Sequence, residues 1–118
     1  MASYTASIGT KGQMRVSVDL VSQDAVKNTS VVRVKGEVWL TSGTATDNTG
    51  HCKARFTGTN TTTNKTIKGS YSTKPRLILD SSFTVTHDPD GTKTVSYTFN
   101  YGPSSTTVLG KVVSTATV

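Results

Sequence analysis

Residues Ser82–Tyr101, SFTVTHDPDGTKTVSYTFNY, decide the fold. Phe83 and Val85 alternate with polar residues on one side of a short hinge, and Val95, Tyr97, Phe99 and Tyr101 do so on the other. A period of two marks a strand with one dry and one wet face. Between the runs stands His87-Asp88-Pro89-Asp90-Gly91. Proline pre-sets the backbone angle at a turn's second position, aspartate caps the turn through its side chain, and glycine accepts a positive φ. The stretch therefore reads as two strands joined by a bend, with His87, Asp88, Asp90 and Gly91 in structural roles. The two runs are expected to pair as an antiparallel hairpin.

The hinge also has the look of a cation loop. A calcium loop spreads oxygen ligands over about twelve residues and closes on a bidentate acid, yet no Asp or Glu follows Gly91. His51 and His87 are the only histidines and Cys52 the only cysteine, too few for a zinc set. Neither a metal nor a cofactor is expected.

The same alternation extends along the chain. In Gln13–Leu20, Met14, Val16, Val18 and Leu20 share one face. In Ser30–Leu40, Val32, Val34, Val38 and Leu40 point inward while Arg33, Lys35 and Glu37 point outward. Gly36 falls on the inward parity, which signals a bulge or a close backbone approach. Trp39 is outward if the parity holds, and inward if Gly36 bulges the strand. Further runs occupy 52–59, 65–72, 76–88 and 107–118, separated by turn-formers, with 41–50 (TSGTATDNTG) the longest loop-like stretch. With the short Tyr4–Ile8 run this makes about seven or eight strands. Threonine and serine fill about a third of the chain, and β-branched threonine suits a pleated surface. The reading is all-β: one domain over 1–118, an immunoglobulin-like antiparallel sandwich, with a jelly roll as the alternative. Residues 1–10 are a candidate extended N-terminal arm.

Composition narrows the function. The chain is 33% hydrophobic and 17% charged, with a formal charge of +6. No window approaches the ~18 apolar residues of a membrane helix, and the N-terminus lacks the basic and apolar regions of a signal peptide. A lone cysteine excludes an internal disulfide and suits a reducing compartment; Cys52 reads as a small buried hydrophobe. The basic residues are scattered from Lys11 to Lys111 without interleaved aromatics, so nucleic acid is not the expected partner. The positive balance suits an acidic protein surface or an anionic cell-wall polymer. No nucleophile elbow, phosphate loop or His-Glu-x-x-His helix occurs, so an enzyme is not expected. Asn28-Thr29-Ser30, Asn60-Thr61-Thr62 and Asn64-Lys65-Thr66 are chance glycosylation matches in an Asn- and Thr-rich chain. The candidate interface or glycan contacts are Trp39, Arg33, Lys35, Tyr71 and Tyr101, with Tyr97 a further aromatic for stacking a sugar.

Two segments carry a resemblance. In Ser22–Leu40, Gln and Asp followed by Asn-x-Ser precede a long alternating strand. In Gly69–Tyr101, a strand ends in Val-x-His, followed by an Asp-Gly turn, Thr-Lys-x-Val and another strand. Together, over roughly residues 13–101, they resemble small β-sandwich modules in tail, baseplate and receptor-binding proteins of long-tailed bacteriophages. The resemblance implies an immunoglobulin-like sandwich, a virion structural or host-surface role and no catalysis, and it supplies no agreed site residues. Such modules usually sit within long multidomain chains, whereas this sequence has its own start Met. It implies an accessory virion subunit on the tail or the capsid exterior, present in many copies and assembled in the host cytoplasm. Its partners would be tail or major capsid proteins, or, on the adhesion alternative, cell-wall glycan; neither nucleic acid nor membrane is implied. An outer strand added to a neighbour's sheet edge is the expected mode of docking.

Overall fold

The period-two runs become strands whose dry faces meet. A computed structural model describes residues 2–8, 11–102 and 110–118, the side chains of 2 and 47–51 excepted. The strands are β1 (Ala2–Ile8), β2 (Gly12–Asp24), β3 (Thr29–Leu40), β4 (Ala45–Gly58), β5 (Lys65–Tyr71), β6 (Arg76–Thr86), β7 (Thr94–Gly102) and β8 (Gly110–Thr117). No described residue is helical. The strands form two antiparallel sheets, β1-β2-β3-β6 and β5-β4-β7-β8. With β2–β8 read as A, B, C, C′, E, F and G, the orders become A-B-E and C′-C-F-G. That is the immunoglobulin-type arrangement with its fourth strand on the C-F-G side. β1 is an additional strand on the outer edge of A.

The hairpin expected across His87–Gly91 is corrected: β6 and β7 lie in different sheets, and the bend carries the chain from one layer to the other. Alternation tells which side of a strand is dry but not which strand lies beside it. Here the two dry rows meet face to face, with the Phe83 ring stacked on that of Tyr97 at 5.4 Å and 13°.

The core follows the parity. Met14, Val16, Val18, Val32 and Val34 are buried from one sheet, and Ala54, Phe56, Val95, Tyr97 and Phe99 from the other. Phe99 lies against Gly36, where an added Cβ would meet two ring atoms at 2.8 Å. The bulge suspected in β3 lies opposite it: the β3–β6 register shifts between Gly36 and Glu37, leaving Ile78 of β6 unpaired. β3 therefore keeps its parity, and Trp39 stays on the outer side.

Two expectations are corrected. Leu20 has inward parity yet is 47% exposed, so the buried row of β2 ends at Val18. The β2–β3 register also slips between Leu20 and Ser22, pushing out Val21. The supposed loop 41–50 is largely strand: β4 starts at Ala45 and pairs Ala45–Asp47 with Tyr71–Gly69 before a register shift leading to Cys52. Threonine-rich sequence reads as loop or strand alike, and the neighbouring β5 decides it.

Candidate binding surfaces

The His87–Gly91 bend is held by bonds among its own neighbours. The backbone N–H of Asp88 donates to the Thr92 carbonyl at 2.8 Å, and that of Gly91 donates to the Asp88 carbonyl at 3.0 Å. Asn28, at φ 54°, donates from its side-chain amide to the Asp88 carbonyl. Its Oδ1 lies 3.0 Å from Nδ1 of His87, so this nitrogen donates. Nε2 then accepts from the buried Ser30 hydroxyl at 2.6 Å. Asp90 accepts from the Thr92 backbone N–H and hydroxyl, which hold its carboxylate below the usual range. No cluster of metal-ligating side chains occurs among the described residues.

The outer face of β1-β2-β3-β6 carries charges in pairs. Arg15 meets Glu37 directly across β2 and β3 at 3.0 Å. Arg33 forks onto Asp80 at 2.9 and 2.5 Å, and that hydrogen bond holds the Asp80 carboxylate low. Lys35 reaches Asp19 at 3.7 Å. Such exposed pairs add little to stability because water and salt screen them, but they leave this face locally neutral. Arg33 and Lys35, candidate contacts by sequence, are thus engaged within the sheet. Trp39 is half-buried, with the Arg15 guanidinium 5.3 Å from its ring centroid. One face of its ring is covered.

Tyr71 and Tyr101 are corrected from surface contacts to core. Each is only 8% exposed, because both have the inward parity of their strands. Tyr101 donates to the Tyr71 hydroxyl at 3.0 Å, with the rings edge to face. Burial, then this bond, pushes the Tyr101 hydroxyl above its ordinary range. Tyr97 is fully buried, donates to Asn60 Oδ1 at 2.9 Å and is pushed up to about 12 by burial. These three rings offer a sugar no open platform. Tyr71 and Tyr101 instead wall a cavity of about 260 Å3, with Val38, Leu40 and Cys52.

The sheet edges differ in how they are guarded. A bare edge strand offers unpaired N–H and C=O groups to any other strand, and charges, bulges and twists are the usual defence. β5 has Lys65, Lys68 and a positive-φ Gly69, and Arg76 donates to the Lys68 and Ser70 carbonyls. β6 has the irregularity at Ile78, with Arg76 and Asp80. β8 carries Lys111, and its end is tied by mutual backbone bonds between Lys93 and Val118. β1, ASYTASI, has no charge and no proline, and its register with β2 is unbroken from Ala2 to Ile8. Gly110 of β8 approaches Ser7 and Ile8, while Ser3, Tyr4 and Thr5 remain exposed. Tyr4, 48% exposed, is the open aromatic that sequence reading missed. Its place on an outermost strand depends on pairing that periodicity does not reveal.

A family described as siphovirus protein of unknown function, DUF859, matches residues 1–111. The chain belongs to this siphovirus family. The match spans β1 to β7 whole and only the first two residues of β8. No curated protein and no solved structure matches the siphovirus protein. No described helix is long and apolar enough to cross a membrane.

Proposed function

We propose that the chain is a non-enzymatic structural subunit of the phage particle, seated on the tail or the capsid exterior by strand addition along β1. The observation that carries this reading is the contrast between one uncharged, regular edge and three guarded ones. Main-chain hydrogen bonds along such an edge supply affinity, and alternate side chains supply specificity. Tyr4 provides the rigid aromatic anchor that interfaces favour. Repetition over many equivalent sites makes modest single contacts sufficient. An adhesion module that stacks sugars is less well supported, since Tyr71, Tyr97 and Tyr101 are buried and Trp39 lies beside Arg15.

The test places charge on the edge without touching the core. Ser3→Lys with Thr5→Lys is expected to leave circular dichroism unchanged and to abolish incorporation into particles, read by immunogold labelling of purified virions. Full occupancy by the doubly substituted chain would refute docking through β1.

A further inference from the structure

The outer face of β5-β4-β7-β8 differs from its counterpart. It carries Lys53 and Arg55 on β4, Lys68 on β5 and Lys111 on β8, and no acidic residue among the described side chains. Asp47 of β4 lies outside the described side chains. The other acids are elsewhere: Asp19, Glu37 and Asp80 in the pairs of the first sheet, and Asp24, Asp88 and Asp90 at the bends. None of the four cations has an ion-pair partner among the described residues. Four of the thirteen cations thus share one face with no described acid beside them.

These cations have a regular geometry. Arg55 stands opposite Asn100, and Asn100 opposite Lys111. Arg55 and Lys111 are therefore two strands apart, about 10 Å. Lys53 lies two residues from Arg55 on the same side of β4, about 7 Å away. The Nε of Arg55 is buried and has no hydrogen-bond partner, leaving one donor of a charged fork unused. Thr57, Thr66, Thr98, Asn100 and Thr115 lie between and around the cations.

The composition selects among anionic partners. Protein interface cores favour aromatic and apolar anchors and are depleted in lysine, whereas Val113 is the large apolar side chain on this face. Single-stranded nucleic acid is held by aromatic stacking, and no described aromatic points outward here. Duplex grooves admit a helix or a two-stranded ribbon, not the flat of a four-stranded sheet. A chain of phosphodiesters joined by hydroxylated units fits: phosphates meet the arginine fork and the lysines, and hydroxyls meet the Thr and Asn carpet.

We propose that the outer face of β5-β4-β7-β8 binds a phosphodiester-linked polyol polymer, with phosphates on Lys53, Arg55 and Lys111 and Lys68 at the flank. This face belongs to the other sheet from β1, and only its Lys111 flank, next to Gly110, comes near the β1 edge. Water-soluble poly(glycerol phosphate) is the probe, with binding followed by titration calorimetry over a salt series. Wild type is expected to bind, with affinity falling as salt rises. Arg55→Gln with Lys111→Gln should weaken binding about tenfold or more by removing two phosphate contacts. Arg33→Gln with Lys35→Gln, on the neutral face, should change it little. Lys53→Gln with Lys68→Gln provides a second variant of the same face should the first fail to fold.

Three results would overturn the proposal: no binding by wild type, equal losses from substitutions on either face, or tighter binding of duplex DNA or polyglutamate. Particle incorporation of the Lys53/Lys68 variant, whose strands β4 and β5 lie away from β1, should be normal, so failure here is distinguishable from failure of the β1 reading.

Discussion

Gly36→Ala tests how the two sheets are keyed together. Gly36 is in extended backbone, so alanine costs nothing in φ; the cost comes from packing. The added Cβ would lie 2.8, 2.8 and 3.0 Å from three atoms of the Phe99 ring, where comfortable carbon contacts are about 3.5–4.0 Å. The ring would have to retreat by about 0.7 Å or more. It has nowhere to go, because Phe99 is fully buried and packs edge to face on Phe56 at 5.7 Å. Overpacking of this kind costs about 1–3 kcal/mol, and each kcal/mol corresponds to about 4 °C in Tm for a domain of this size. Urea unfolding followed by near-UV circular dichroism of the buried tyrosines measures it. Repeating the substitution in a Phe99→Leu background should reduce its cost by about 1 kcal/mol, since the two positions share one contact. A neutral Gly36→Ala, or an identical cost in both backgrounds, would show that the ring does not lean on Gly36.

Two other outcomes concern the hydrogen bonds described above. His87→Ala leaves the Ser30 hydroxyl, 1% exposed, without its imidazole partner; it should cost about 1–3 kcal/mol in urea unfolding, and adding Ser30→Ala should recover part of that loss. Burial pushes the folded-state pKa of Tyr97 up to about 12 from its ordinary value of 10.0. Stability from its neutral form is thus fully present below pH 10 and falls as pH rises from 10 towards 12. Absorbance titration near 295 nm should show late ionisation of Tyr97, and Tyr97→Phe should remove that phase.

The strands were legible because one physical rule wrote them. Met14, Val16 and Val18, or Val95, Tyr97 and Phe99, alternate with polar residues because each strand has one dry side, and their burial follows. Which layer a strand joins is set by contacts distant in sequence. That is why β6 and β7, joined by a turn-like bend, belong to different sheets. Tyr71 and Tyr101 have inward parity, and treating them as surface aromatics set residue type above position. The basic residues are scattered in sequence and become a face only when β4, β7 and β8 lie side by side, bringing Arg55 near Lys111. The β1 edge was the least legible feature. Its significance lies in what the other edges carry and it lacks.

The position of Trp39 affects how the molecule can be watched. It is the only tryptophan and sits half-buried outside the layers, beside a guanidinium. Its emission therefore reports the electrostatics of one surface and not the collapse of the interior. Denaturation should move its spectral maximum only slightly, while disruption of the Arg15–Glu37 pair should alter its intensity in a fully folded molecule. A native fluorophore placed this way is a poor gauge of folding and a ready sensor for anything that settles on that side of the sandwich.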